Sequence, residues 1–178
     1  MLRFPFGFVV LVCLASPALA QPAPAQETQA PQCPQDAAPL PAELSAWTAP
    51  NPMTAATRPE ELSRAELKPG VAVKAALAHT PEVNYLARPT KPGGGVAYGG
   101  LFHIAIAEPG TYRVALGNAS WVDVIKDGGK IESSAHGGGP ACSGVRKMVD
   151  YPMQAGDYVV QLSAGADAQT GVLVVKLP

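Results

Sequence analysis

The chain has 178 residues, of which 47% are hydrophobic, with 13 Lys and Arg against 14 Asp and Glu and a formal net charge of −1. That length is enough to bury the core of one domain but not of two. Because the charges nearly balance and form neither a basic run nor an acidic tail, the composition argues against nucleic acid and anionic membrane surfaces as partners.

Residues 1–20 have the parts of a secretory signal peptide. Arg3 supplies an early cation, residues 4–14 are apolar, and small residues precede the expected cleavage after Ala20. The apolar run is too short to span a bilayer. A lipoprotein signal is the alternative because Cys13 lies near this run, although a valine rather than a small residue precedes it. We therefore expect a periplasmic or secreted protein with no transmembrane segment after cleavage.

Cleavage removes one cysteine and leaves two, Cys33 and Cys142. In an oxidising compartment an isolated pair more often forms a disulfide than a metal site or a nucleophile. The loop that it closes is roughly 110 residues long, for which the chain-entropy model gives about 4 to 5 kcal/mol. The sequence thus predicts a disulfide that fixes the N-terminal arm to the domain, with two free buried thiols as the alternative.

The segment 21–41 consists mainly of Pro, Ala and Gln, with almost no large apolar residue. This composition predicts a disordered or polyproline-like leader. Short helical turns are predicted at 41–47, where Leu44 and Trp47 are three residues apart, and at 60–67. Both turns are too short to be stable without packing. We interpret Trp47 as a plug that caps the core from the arm, with a ligand-stacking role as the alternative.

After Pro69-Gly70 the sequence changes to short β-rich segments separated by Gly and Pro. In the first of them, Val71–Leu77, apolar residues alternate with smaller or polar ones, as in a half-buried strand. Eight or nine strands are predicted, at 71–77, 83–86, 99–107, 112–117, 121–126, 130–133, 145–151, 158–163 and 171–177.

Turn residues and alternation together indicate the fold class. Residues 127–129, Asp-Gly-Gly, are a strong hairpin signal because Asp and Gly tolerate positive φ. Apolar residues share one face in the predicted strands at 112–117 and 158–163, as Tyr112, Val114 and Leu116 do. Many short strands without βαβ alternation predict an all-β fold, an antiparallel β-sandwich of jelly-roll type, in one domain over residues 42–178.

Two segments repeat one arrangement, a turn glycine and a polar residue before a tyrosine that opens a strand: Gly110-Thr111-Tyr112 and Gly156-Asp157-Tyr158. They resemble the strand entries of bacterial prepeptidase C-terminal-type and carbohydrate-binding-type β-sandwich domains. The resemblance covers about residues 96–178. It implies a β-sandwich and carries almost no information about function.

The mature chain is also similar to a family of short secreted proteins of gram-negative bacteria. The similarity is greatest in the motifs ASWVDV (119–124), HGGGP (136–140) and GVRK (144–147). Some members of that family carry the name homogentisate dioxygenase, which implies an iron site built from a cupin-type cluster of His and Glu. True homogentisate dioxygenases are much longer cytosolic enzymes, so the length and signal peptide of this chain disfavour the enzymatic name.

A mononuclear non-haem iron site needs two His and one carboxylate around one metal. The three histidines, His79, His103 and His136, are all more than five residues apart, so only long-range convergence could join them. They are therefore weak metal candidates. Individually, His79 is expected in an exposed loop, and His103 on the strand face opposite Phe102 and Ile104.

The loop from His136 to Cys142 is the first candidate ligand site. Its three glycines, beginning with Gly137, allow the backbone to approach a ligand closely. The predicted disulfide at Cys142 anchors one end of the loop. A plain irregular crossover between strands is the alternative.

Trp121, Asp123 and Arg146 are the second candidate site. A Trp and a carboxylate on one strand face can form a sugar-binding platform. In the alternative interpretation, Trp121 is a core residue and Asp123 pairs with Arg146. The candidate ligand-binding residues are therefore His136, Gly137, Trp121, Asp123 and Arg146.

The sequence offers no recognisable catalytic set. It contains neither a nucleophile elbow nor a triad context, and the glycines of residues 91–95 lack the ending of a phosphate loop. We therefore expect no catalytic residue and no cofactor. The leading hypothesis is a non-catalytic envelope protein that binds a small molecule, a glycan or another envelope protein, with residues 91–100 and 135–142 as the rim. A small metal-dependent enzyme and a structural envelope subunit are the alternatives.

Overall fold

The computed structural model describes Cys33 and residues 39–178, which form an all-β structure with three short 3₁₀ helices. The predicted signal peptide and most of the predicted leader lie outside the described residues. Within the described part of the chain, no helix is long and apolar enough to cross a membrane. Cys33 and Cys142 form a disulfide with their Cα atoms 5.6 Å apart. The predicted disulfide is therefore confirmed, and the alternative of two free thiols is wrong.

The bounds of the elements follow the chain. The helices are η1 (Ala42–Thr48), η2 (Pro59–Arg64) and η3 (Thr80–Glu82). The strands are β1 (Asn51–Thr54), β2 (Glu66–Leu67), β3 (Val73–Ala76), β4 (Ala78–His79), β5 (Tyr98–Ile106), β6 (Gly110–Leu116), β7 (Trp121–Lys126), β8 (Gly129–Ile131), β9 (Ala135–Gly137), β10 (Lys147–Met153), β11 (Gly156–Gly165) and β12 (Gln169–Lys176).

The strands form two sheets. Sheet A has the order β1-β3-β12-β6-β10-β9, and sheet B has the order β2-β5-β11-β7-β8, with β4 also paired to β5. Both sheets are mixed, because β1 runs parallel to β3 and β2 runs parallel to β5. The long strands in the middle of each sheet pair antiparallel with their neighbours.

One hydrophobic cluster contains buried side chains from both sheets. Val114 and Val174 reach it from sheet A, and Phe102 and Val160 reach it from sheet B. All four are at most 1% exposed. Every second residue of a strand faces the same side, so apolar residues at these positions withdraw one face of each sheet from water.

A second, smaller cluster lies on the opposite face of sheet A, which we call its outer face. Here Leu44 and Trp47 of η1 pack against Ala115 of β6 and Leu173 of β12. The predicted helical turn at 41–47 is thus a 3₁₀ helix that is stabilised by packing. Trp47 does cap apolar surface from the arm, but that surface is the outer face of sheet A rather than the main cluster.

The prediction of a strand at 83–86 is wrong. This segment follows η3 as irregular chain, and the amide of Leu86 donates to the side chain of Gln161 at 2.8 Å instead of to a neighbouring strand. The predicted turn at 60–67 is shorter than expected, because Glu66 and Leu67 belong to β2. The remaining predicted strands are present with their ends shifted by up to two residues.

Candidate functional site

Four residues lie side by side across the outer face of sheet A, and we call them the cross-strand row: Lys74, Gly171, Gly117 and Arg146. Lys74 on β3 is the register partner of Gly171 on β12. The amide of Gly117, directly after β6, donates to the carbonyl of Gly171 at 3.0 Å. The amide of Arg146, directly before β10, donates to the carbonyl of Leu116 at 2.8 Å. The row therefore has a cation at each end and two glycines between them.

Two adjoining cavities lie along this row, and we call them together the groove. The first has a volume of about 460 Å³ and is lined by Gly117, Gly138, Gly139, Pro140, Ala141, Cys142, Gly144, Val145 and Arg146. The second has a volume of about 280 Å³ and is lined by Trp47, Pro50, Val73, Lys74, Gly117, Gly144, Gln169, Thr170 and Gly171. Gly117 and Gly144 line both cavities, which makes them one extended feature of the surface.

Trp47 lies directly on the row. A methyl group at Gly171 would be 2.7 Å from Cη2 of the indole, so only glycine fits beneath the ring at this position. The indole Nε1 faces Gly144 in the same way, at 3.5 Å from where a methyl group would lie. The side chain of Trp47 is half-buried, and η1 holds it against the second hydrophobic cluster.

The loop that forms one wall of the groove is fixed at several points. The disulfide holds Cys142, and the buried side chain of Val145 packs into the second cluster. Between them, the hydroxyl of Ser143 donates to the carbonyl of Pro140 at 2.6 Å and accepts from the amide of Val145 at 3.0 Å. Cys142 has a φ of 61° and Gly144 a φ of 74°, so the chain turns sharply at both residues.

The loop predicted to bind a ligand is therefore divided between two places. Residues 138–142 line the groove. His136 and Gly137 belong instead to β9, the exposed edge strand of sheet A, and line a separate cavity of about 120 Å³ beside Arg113 and Asp150. Arg146 is the candidate ligand-binding residue that the structure brings to the groove.

The groove is positively charged. Lys74 and Arg146 are the charged residues that line it, and no acidic residue of the described chain does so. Both cations are exposed, and within residues 39–178 neither one pairs with a carboxylate. An anionic group is the natural complement of such a surface.

Asp123 has a different set of partners from the one that we expected. Its buried carboxylate accepts from the amide and hydroxyl of Thr90, at 2.9 Å and 2.6 Å, and from the indole of Trp121 at 3.2 Å. Lys130 is its ion-pair partner at 3.4 Å. The predicted pair with Arg146 is wrong, because the backbone of Arg146 bonds to Leu116 beside sheet A, whereas Asp123 lies on β7 of sheet B.

The ring of Trp121 is covered by two lysines. Nζ of Lys91 lies 4.8 Å from its centroid and Nζ of Lys147 lies 4.7 Å from it. Burial, and then the charge of Lys91, lower the pKa of Lys147, whose ammonium also donates to the carbonyl of Ser120 at 2.9 Å. Trp121 is thus half-buried in a cation-π cluster rather than open to solvent as a flat platform.

The three histidines lie in three different settings. His79 ends β4 and stacks on Tyr98 with ring centroids 4.5 Å apart. His103 lies on the face of β5 opposite the buried Phe102, as predicted, with Nε2 3.0 Å from Oδ1 of Asp157. Among the described residues, no three His, Cys, Asp or Glu side chains are grouped so that they could hold a metal ion.

Sequence analysis did not identify Lys74, Gly117 and Gly171 as site residues. They are more than forty residues apart in pairs and become neighbours only through the pairing of β3, β12 and β6. No family model matches this chain, and no curated protein is significantly similar to it. The geometry of the groove is therefore the basis for a functional argument.

Proposed function

We propose that this chain is an exported, non-catalytic binding protein whose ligand site is the groove on sheet A. The observation that carries the proposal is the cross-strand row, in which Trp47 covers Gly171 and leaves Gly117 bare, between two cations that pair with no carboxylate of residues 39–178. Ligand sites in proteins are concave and combine an apolar surface with a few placed polar groups. The groove has these features in Trp47, in its glycine backbone and in Arg146.

We further propose that the two sheets form a jelly-roll sandwich. The order β3-β12-β6-β10 in one sheet and β5-β11-β7-β8 in the other supports this proposal. Most successive long strands along the chain alternate between the two sheets, as they do in two linked Greek keys. In such a fold the groove lies on an outer face, where both η1 and the loop 138–146 can reach it.

Export is the third part of the proposal. The signal-like residues 1–20 and the disulfide both support it. Expression of the full chain with a C-terminal tag in a gram-negative host tests this part. We expect a periplasmic product whose N-terminal sequence begins at Gln21. A product that keeps residues 1–20 and stays in the cytoplasm would contradict export.

The binding role is tested by filling the groove. Gly138 has room for a side chain, since a methyl group there would be 3.8 Å from its nearest neighbour, the carbonyl oxygen of Arg146. Because Gly138 lines the groove and its methyl position makes only an ordinary contact, we expect Gly138→Leu to narrow the groove and to keep the fold. Gly94→Leu is the matched control, because Gly94 faces open space and lies in the predicted rim segment 91–100, no residue of which lines the groove.

The readout is a ligand screen by thermal unfolding, with panels of glycans, peptides and small metabolites. A ligand that binds the native state raises the unfolding temperature in proportion to the logarithm of its concentration. We expect ligands that stabilise the wild type and Gly94→Leu but not Gly138→Leu. The proposal is wrong if no ligand stabilises the wild type at millimolar concentration, or if Gly138→Leu responds to the same ligands as the wild type.

A further inference from the structure

We propose that the ligand of the groove is a short acidic oligosaccharide, a chain of pyranose rings that carries carboxylates as uronic acids do. This inference rests on the proposed function of the groove and adds the chemical class of the ligand. It follows from three properties of the cross-strand row: the spacing of its cations, the bare backbone at Gly117 and the position of Trp47.

The spacing of the cations requires an extended ligand. Lys74 and Arg146 lie on β3 and next to β10, which are separated by β12 and β6. Adjacent strands are about 4.8 Å apart, so the backbones of these two residues are about 14 Å apart. One small anion cannot contact both side chains along such a floor without bending them inward. Two carboxylates on one extended chain can each meet a cation, and a guanidinium binds a carboxylate through two parallel hydrogen bonds.

The floor and Trp47 favour rings. Gly117 presents no side chain, so a flat group can lie directly against its backbone, between Arg146 and the indole that covers Gly171. Trp47 stands on Gly171 with its indole half-exposed and lines the same cavity as Lys74. The apolar face of a pyranose ring packs on an indole, while its hydroxyls and carboxylate stay free for polar partners.

An acidic peptide fits this floor less well. Extended peptides bind β-proteins chiefly by adding a strand to an open sheet edge. The floor belongs to β12 and β6, which are both internal strands of sheet A. The amide of Gly117 already donates to the carbonyl of Gly171. The amide is therefore not free to bind a peptide backbone.

The test is isothermal titration of the disulfide-intact protein with three probes. Oligogalacturonate is the acidic saccharide, its fully methyl-esterified form is the same chain without charge, and oligoglutamate is the acidic peptide. The variants are Arg146→Gln and Lys74→Gln. The control is Arg88→Gln, which removes one positive charge from an exposed position in the segment that crosses sheet B.

We expect oligogalacturonate to bind and its methyl ester to bind at least tenfold more weakly. Arg146→Gln should lower the affinity for oligogalacturonate by about tenfold and Lys74→Gln by about threefold, because exposed ion pairs are worth less than bidentate ones. Arg88→Gln should leave the affinity within about twofold of the wild type, because Arg88 does not line the groove and salt screens an exposed charge. Affinity for oligogalacturonate should also fall as salt is added.

Each contrary result has a separate meaning. Equal binding of the methyl ester overturns the requirement for charge but leaves the groove as a ligand site. Binding of oligoglutamate in preference to oligogalacturonate overturns the saccharide assignment. If none of the three probes binds while Gly138→Leu still abolishes the response to another ligand, the inference is wrong and the proposed function stands. Equal losses in Arg88→Gln and Arg146→Gln would place the site elsewhere on the protein and overturn both.

Discussion

Gln161 on β11 and Asp123 on β7 lie directly opposite each other on sheet B, and both side chains bind the main chain of a single irregular segment. Oε1 of Gln161 accepts from the amides of Leu86 and Ala87, at 2.8 Å and 3.1 Å, and its Nε2 donates to the carbonyl of Ala87 at 3.1 Å. Asp123 accepts two bonds from Thr90. We call residues 85–91 the strap, because these two side chains tie it across sheet B in place of a neighbouring strand.

Gln161→Leu should destabilise the protein by about 3 kcal/mol, since it removes three hydrogen bonds and leaves the backbone groups of Leu86 and Ala87 without their side-chain partner. Gln161 is 1% exposed, so water cannot replace the lost side-chain amide without opening the strap. Urea unfolding gives the change in free energy, and hydrogen exchange at Leu86 and Ala87 localises it. Gln154→Leu, at an exposed glutamine, is the control and should change stability by less than about 0.5 kcal/mol. Unchanged exchange at both strap amides in Gln161→Leu would contradict the assignment.

Tyr151 makes the stability fall at alkaline pH. Its hydroxyl donates to the carbonyl of Val122 at 3.0 Å, and burial, followed by the charges of Asp123 and Glu132, raises its pKa well above the ordinary value of 10.0. Above that ordinary value the unfolded chain loses the tyrosine proton while the folded chain keeps it. The unfolded state then binds fewer protons, so the free energy of unfolding decreases as the pH rises.

The measurement compares urea unfolding of the wild type and Tyr151→Phe from about pH 9 to about pH 11. The variant should lose about 1 kcal/mol at neutral pH from the missing hydrogen bond, and should then lose less stability than the wild type as the pH rises. The pKa of Lys147 is lowered, which contributes in the opposite direction, so the comparison depends on the difference between the two proteins. Parallel curves over this range would show that Tyr151 does not ionise on unfolding.

Local sequence patterns were sufficient to predict the long strands. In β6, Tyr112, Val114 and Leu116 alternate with smaller or charged residues, and all three lie in the main cluster. The alternation predicts the strand because one face of that strand is buried. The short strand β9 has three exposed residues and no alternation, so its sequence carries no such signal. It forms by pairing with the longer strand β10.

The strap and the groove depend on information that a local pattern does not contain. Val83 and Tyr85 alternate as in a strand, but the amides that follow are taken by Gln161, which lies 74 and 75 residues further along the chain. The glycine-rich loop and Arg146 could be recognised as candidate site residues because they are close together in the sequence. The alignment of Lys74 with Gly171 could not be predicted from the sequence, because the register between distant strands is set by the packing of the whole sheet.

Loss of the disulfide should lower stability by up to about 4 kcal/mol, because the cross-link of Cys33 with Cys142 spans 109 residues and restricts the unfolded chain. Both cysteines are exposed, so dithiothreitol can reach the bond without unfolding the protein. Urea unfolding with and without reductant measures the effect. The double variant Cys33→Ser/Cys142→Ser should match the reduced wild type and should not respond to reductant. A reduced wild type with both thiols titratable and an unchanged unfolding midpoint would show that the bond contributes nothing.

Gly171→Ala should destabilise the protein by about 1 to 3 kcal/mol, the usual cost of forcing an extra methyl group into a filled site. The new methyl would lie 2.7 Å from Cη2 of Trp47, so the indole must move off the cross-strand row and its fluorescence should change. Trp47→Leu relieves this overlap, and the double variant Gly171→Ala/Trp47→Leu should therefore be more stable than the sum of the two single changes predicts, with a coupling of at least about 0.5 kcal/mol. Gly138→Ala is the control, because its methyl makes only an ordinary contact at 3.8 Å with the carbonyl oxygen of Arg146. Strict additivity of the two changes in urea unfolding would mean that Trp47 does not rest on Gly171 in solution, and the floor of the groove would then lack the indole that the saccharide proposal requires.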